Sequence, residues 1–324
     1  MWRLAPGFLA EVTDFTMTEQ KKVLIAPSSF AELDPEPVNK LVEHGFEVAN
    51  NPFHRKLTTS ELKDLLPGVT GLIAGLETID REVMTGSSLR VISRCGVEMS
   101  NVDIKAAGEL GIIVRNTPDA PTIAVAELTI GVMIGLLRMI PAMDHELHSK
   151  RWTKKIGVQL SGKTVAIIGF GRIGRYVGQL LKPFNVKLLA VDNALQGVVE
   201  KTPVVSLEEA LTRADIVTLH LSGTSQVLGR RELSMMKEGV FILNAARGGV
   251  IDEDALLEAI KGGKVAGAWI DAFSREPYSG PLADFPQVIL TPHVGSYARE
   301  CRQRMEMEAV DNLISAWEEA SEDG

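Results

Sequence analysis

The run Gly169-Phe170-Gly171-Arg172-Ile173-Gly174 constrains the fold of this chain more than any other stretch, because of what flanks it. The apolar segment Thr164 to Ile168 reads as a strand that runs straight into the first glycine. Arg175 to Lys182 reads as a helix, and the next strand, Lys187 to Val191, ends at Asp192. The glycines therefore sit in the first turn of a βαβ unit, where each has a separate task. Gly169 permits the tight turn, Gly171 lets the main chain approach a bound group, and Gly174 lets helix and strand pack closely.

The bound group that this turn suits is a pyrophosphate, faced by the amides of Arg172 and Ile173 at the helix N-terminus. Asp192, at the strand tip, is placed to accept hydrogen bonds from a ribose diol and to repel a 2′-phosphate. The expected cofactor is NAD in preference to NADP. A second glycine motif misleads. Gly157 to Thr164 matches the GxxxxGK[ST] phosphate loop in full, but it follows the polar Trp152 to Lys155 and opens a strand. Without a helix behind it there is no amide cradle, so a P-loop nucleotidase is set aside.

Along the chain, short apolar runs alternate with amphipathic helical patterns, which predicts parallel sheets covered by helices. The first series has strands at 22–26, 71–74, 89–94 and 112–114. The second has them at 164–168, 187–191, 215–220, 240–244, 267–270 and 288–290, enough for a complete doubly wound unit. The expected fold is α/β with two doubly wound parallel-sheet domains. One spans 21–117 plus the helical tail 296–324; the other, a Rossmann domain for NAD, spans 118–295. Residues 1–20 are expected to be an N-terminal extension, with Met17 a second plausible start.

The 324 residues suit two domains, and 45% apolar with 23% charged residues is an ordinary globular balance. A formal charge of -8, without basic blocks, argues against nucleic acid as a partner. The most apolar stretch, Ile123 to Ile140, is interrupted by Glu127, Thr129, Arg138 and two glycines. It is expected to be a buried interface helix and not a membrane span. Cys95 and Cys301 are too few for a disulfide framework, and no signal peptide is evident, so a reducing, cytoplasmic location is expected. His145 and His148 lack a third ligand, and no metal site is expected.

Three segments just past strands of the second series carry ionisable groups: Arg247 in NAARGG, Glu276 in DAFSREP and His293 in TPHVGS. Strand ends of a doubly wound sheet converge on the ligand crevice. A guanidinium grips a carboxylate and polarises the neighbouring carbonyl. An imidazole returns or removes a proton near neutral pH, and a carboxylate orients that ring and favours its charged form. Hydride transfer to a 2-oxo acid needs these three groups.

With the GKTV lead into GFGRIG, the NAARGGVIDEDAL run at 244–256, Asp271 to Pro277 and TPHVGS at 291–296, the chain closely resembles the D-isomer-specific 2-hydroxyacid dehydrogenases. This is the family of phosphoglycerate dehydrogenase and glyoxylate/hydroxypyruvate reductase. The resemblance implies that Arg247, Glu276 and His293 are catalytic, and that Val97, Arg172, Ile173, Asp192, Leu221, Ala245 and Asp271 contact the cofactor. It further implies a flavodoxin-like substrate domain, a homodimer built on the 123–140 helix, and a Trp152 that reaches into the neighbouring subunit. The implied partner is a small 2-hydroxy or 2-oxo acid, its carboxylate held by the amides of Val97 and Glu98 together with Arg247 and His293.

Two departures concern the substrate. Glu98 stands where the family usually has glycine, and Ser100 where it usually has aspartate. Ala74-Gly75-Leu76-Glu77 replaces the Arg-Ser found in members acting on phosphoglycerate, which disfavours a phosphorylated substrate and so phosphoglycerate dehydrogenase proper. From another class, the alternative is a non-catalytic, NAD-sensing, corepressor-like binding protein on the same scaffold.

Overall fold

The computed structural model describes residues 21–223 and 225–322; the expected N-terminal extension lies outside them. The chain divides into two compact units. One takes the described residues through Cys95, then Met99–Asn116 and 307–322; the other takes Gly96–Glu98 and Thr117–Glu306.

In the first unit, strands β1 (Lys22–Ile25), β2 (Glu47–Asn50), β3 (Gly71–Ala74), β4 (Val91–Arg94) and β5 (Ile113–Asn116) alternate with helices α1 (Glu36–Glu43), α2 (Thr59–Leu65), α3 (Arg81–Met84) and α4 (Ile104–Glu109). All pairings are parallel, in the order β2-β1-β3-β4-β5. This is the flavodoxin-like order. The central strands β3 and β4 are buried at every position, as strands of a two-sided parallel sheet should be, although β4 carries Ser93 and Arg94 beside Val91 and Ile92. Polar caps set the helix starts. Thr58 and Glu61 form a capping box on α2, and Asp80 and Asp103 cap α3 and α4. β2 has no legible apolar pattern in the sequence because it is an edge strand whose side chains are all at least partly exposed.

The second unit opens with α5 (Pro121–Leu137) and α6 (Ile140–His148). The sequence suggests one helix from Ile123 to Ile140; instead the helix ends at Leu137, and Met139 adopts a left-handed φ of 55°. Pro141, in the first turn of α6, supplies no amide to continue the ladder. The two helices meet at 67°, and among the described residues no single helix is long and apolar enough to cross a membrane.

The sheet of this unit contains β6 (Thr164–Ile168), β7 (Lys187–Val191), β10 (Ile216–Leu219), β11 (Val240–Asn244), β12 (Val265–Ile270) and β13 (Val288–Leu290). A small antiparallel pair, β8 (Val198–Val199) and β9 (Thr202–Pro203), stands apart. Covering helices are α7 (Arg172–Leu181), α8 (Leu207–Arg213), α9 (Arg230–Met235) and α10 (Glu253–Lys261). The six strands are parallel in the order β13-β12-β11-β10-β6-β7. The order reverses between β6 and β10, and such a switch point is where doubly wound sheets bind ligands.

The last helix, α11 (Arg299–Glu322), contributes its second half to the first unit. There Trp317 packs edge-on against Phe46 with ring centroids 5.6 Å apart, and the Arg90 guanidinium lies over the indole. Ser93 of the buried β4 donates to the carbonyl of Ala309, 2.7 Å away.

Candidate active site

The glycine turn sits at the switch point, between the ends of β6 and β10. Gly169 has φ of +89°, and a Cβ there would lie 2.6 Å from the carbonyl oxygen of His220 and 2.8 Å from the amide of Leu221. Any larger residue collides with the neighbouring strand end, and the left-handed backbone disfavours it anyway. At Gly174 a Cβ would meet the carbonyl oxygen of Gly169 at 2.1 Å, so the helix rests directly on the turn. Gly171 faces open space, with nothing within 4 Å, and α7 begins there with no side-chain cap. The first amides of α7, at Arg172 and Ile173, are therefore not claimed by a capping side chain, which is the arrangement a pyrophosphate requires.

Asp192 follows β7. One of its oxygens accepts the amide of Phe170 at 3.0 Å, and the other accepts that of Ala194 at 2.9 Å. Each carboxylate oxygen keeps a second lone pair for a ribose hydroxyl. The Arg172 side chain turns to Asp119, Nε to Oδ1 2.7 Å, so its backbone is the part that faces the turn's ligand space. Leu221 and Ala245 lie just past β10 and β11 and are half-buried. The residues present suit a nicotinamide dinucleotide. The rejected phosphate-loop match runs into β6 and not into a helix.

The three ionisable groups follow β11, β12 and β13, and their loops are bolted together by buried polar groups. Asn244, 2% exposed, donates to the carbonyls of Arg247 and Ala272 and accepts the amide of Ala246. It fixes the Arg247 loop to the loop that leads to Glu276. Asp271, 3% exposed, accepts from the Thr291 hydroxyl at 2.5 Å and from the amides of Val294 and Gly295 at 2.9 Å each. Those three donors bracket His293. Trp269, fully buried, donates its indole N–H to the same Thr291 hydroxyl. The histidine itself has φ of 55°, a conformation uncommon for a non-glycine residue. It is held there by its surroundings, including the hydrogen bond that its backbone N–H donates to the Thr291 carbonyl.

His293 Nδ1 lies 3.1 Å and 3.2 Å from the two carboxylate oxygens of Glu276. Glu276 in turn accepts the amide of Phe273 at 3.1 Å, and the Phe273 ring stacks on Tyr278. Arg247 donates from Nε to Glu98 Oε2 at 2.7 Å and from Nη1 to the carbonyl of Ala246 at 2.8 Å. The short segment carrying Val97 and Glu98 is tied into this unit by Thr117, whose hydroxyl accepts the Gly96 amide at 2.7 Å and whose own amide returns to Gly96. Gly96 has φ of 141°.

Two residues of the site are not singled out by the sequence. Asn244 stands in a motif, but nothing local marks it as the brace. His220, just past β10, is buried, with Nε2 2.9 Å from the Thr218 hydroxyl and Nδ1 without a partner among the described residues. Burial lowers its pKa to about 3, so the ring is neutral at ordinary pH.

Residues 130–295 match the family model "D-isomer specific 2-hydroxyacid dehydrogenase, NAD binding domain". The hydroxypyruvate reductase of Thermotoga maritima is 35% identical over 269 residues, which is 80% of this chain and 88% of that one. The D-3-phosphoglycerate dehydrogenase of Archaeoglobus fulgidus is 33% identical over 306 residues, 91% of this chain but 57% of that one. The chain thus spans about half the length of the curated phosphoglycerate dehydrogenases it matches. A protein of Thermus thermophilus of known crystal structure superposes with a TM-score of 0.85 at 33% identity, covering 92% of this chain and 97% of its own. By the glycine turn, the strand-end loops and these likenesses together, the chain belongs to the D-isomer specific 2-hydroxyacid dehydrogenase family.

Proposed function

We propose that this protein transfers a hydride between a nicotinamide dinucleotide and C2 of a small D-2-hydroxy or 2-oxo acid. The observation that carries this is the His293–Glu276 pair, with both carboxylate oxygens near Nδ1 and with the loop that leads to Glu276 braced to the one that presents Arg247. When bound, the nicotinamide supplies or accepts the hydride. Nδ1–H donates to Glu276, which leaves Nε2 as the atom that exchanges the substrate proton. In reduction Nε2 gives its proton to the carbonyl oxygen as C2 becomes tetrahedral; in oxidation it takes the hydroxyl proton. Arg247 holds the substrate carboxylate and polarises the adjacent carbonyl. On this reading the second unit carries the cofactor and the first is the substrate domain.

His293→Ala is expected to lower kcat by about 100-fold or more while the Kd for NADH stays within about threefold. Unchanged turnover on a panel of 2-oxo acids would refute the assignment. The pairing of Arg247 with Glu98 favours one other reading, a dinucleotide-sensing binding protein, and the same panel separates the two.

The preferred cofactor is NAD; the carboxylate of Asp192 at the tip of β7 supports this, since it would accept from a ribose diol and repel a 2′-phosphate. The partner is a second copy of the chain. Ile156 is 99% exposed and Trp152 80%, and they lie in the segment that follows α6. Ile156 also lines an apolar hollow of about 190 Å³, together with Leu137, Val158, Phe241 and Ile289. Apolar surface of this kind marks an association face. Light scattering on Ile156→Glu is expected to report a monomer where the parent chain is a dimer. A reducing, cytoplasmic setting accords with two buried cysteines that are not joined.

A further inference from the structure

An arginine grips a carboxylate with two parallel N–H groups, either along its side edge, Nε and Nη2, or across its end, Nη1 and Nη2. In this protein both edges of Arg247 are already in use. Nε donates to Glu98 Oε2 at 2.7 Å, and Nη1 donates to the carbonyl of Ala246 at 2.8 Å. The Ala246 bond is a local brace that leaves the side edge alone. Glu98 differs: it places a carboxylate on the edge best suited to an incoming carboxylate.

We propose that Glu98 is a specificity-determining residue that competes with the substrate carboxylate for Arg247. The proposal rests on the reading of Arg247 as the group that holds the substrate acid. Arg247 and Glu98 are partly exposed, at 26% and 34% of their side chains, so an entering molecule reaches the pair. The ion pair cancels the charge that would draw an anion toward Arg247. It does not form a wall, because half-buried pairs gain little over their solvated forms and exchange partners readily.

Two consequences follow for the substrate. A monocarboxylate must displace Glu98 from Nε, which raises its KM without altering the proton-transfer machinery at His293. Once displaced, the Glu98 carboxylate remains tethered close by. A substrate with a second anionic group, such as a phosphate or a distal carboxylate, then meets like-charge repulsion that a neutral or cationic substituent avoids. The substrate class is therefore a 2-oxo acid with a neutral or cationic substituent.

The test measures oxamate, a 2-oxo acid analogue that is not reduced, binding to the complete chain with NADH. The comparison covers Glu98→Gln, Glu98→Gly and the same changes in an Arg247→Gln background, alongside kcat and KM for glyoxylate. Oxamate is expected to bind about tenfold tighter or more in both Glu98 variants, and KM for glyoxylate to fall in parallel. In the Arg247→Gln background the gain is expected to vanish. Unchanged or weaker oxamate binding in both variants overturns the proposal. So does tightening by Gly but not Gln, since bulk and not charge would then be responsible. Tighter oxamate with no 2-oxo acid turned over by any form would sink the hydride-transfer reading and leave the competition standing. Oxamate binding to none of the forms overturns the proposal, and glyoxylate turnover alone then decides the hydride-transfer reading.

Discussion

Gly248 and Phe273 are pressed main chain to main chain: a Cβ on Gly248 would lie 1.9 Å from the Phe273 carbonyl oxygen and 2.2 Å from its carbon. This contact joins the loop of Arg247 to the loop that ends in Glu276. Relief would require the backbones to separate, because no flexible side chain is there to give way. Gly248→Ala is expected to destabilise the protein by about 1–3 kcal/mol, the usual range for overpacking. It should also lower kcat/KM by about 100-fold, since displacing an anchoring group by about an ångström has that effect. Urea unfolding and steady-state kinetics check the two effects separately, and NADH affinity should move little.

Asp271 is the acceptor around which the His293 loop is wound. Asparagine in its place offers one oxygen where three donors converge. At least one buried amide then loses its partner, at a cost of about 1–3 kcal/mol. Asp271→Asn is expected to lower the Tm and, by loosening the loop, to lower kcat more than it raises KM. Crystal or NMR data showing the 291–295 loop unchanged in the variant would contradict this role.

His220 supplies a pH dependence whose sign is set by burial. In the unfolded chain its pKa is the ordinary 6.5, whereas in the fold it is about 3, so acid protonates the unfolded form first. Full stability is therefore present above pH 6.5 and is lost as pH falls toward 3. The slope contributed by this one proton approaches ~1.4 kcal/mol per pH unit. His220→Asn should flatten the fall in unfolding free energy between about pH 6 and 4. Parallel curves for variant and parent would show that the ring is not held neutral.

Asp192 is expected to govern the choice between NADH and NADPH. Asp192→Ala removes the negative charge expected to repel a 2′-phosphate, together with the acceptor for the Phe170 amide. NADH affinity should fall about tenfold, and the ratio of kcat/KM for NADPH over NADH should rise by at least about tenfold. Kinetics with both cofactors measure this directly, and an unaltered ratio would count against Asp192 as the selector.

The alternation of strands and helices, the glycine turn and the three ionisable loops were all legible in one dimension. Each rests on local chemistry: β-branched runs for buried parallel strands, a Gly at every tight approach, and charged groups just past strand ends. β2 was not legible, because an edge strand needs no apolar period. The break at Met139 was not legible either, because the apolar run continues across it.

What the linear order of residues could not disclose was who satisfies whom. Glu98 and Arg247 are 149 positions apart, and nothing local to either marks them as partners. The same is true of Asp271 and the loop that holds His293, and of Asn244 with Ala272. A buried donor or acceptor takes whichever partner the packing of distant strands brings within about 3 Å. Residue types thus specify which chemistry is possible, while the arrangement of strand ends in space selects which groups are free to perform it.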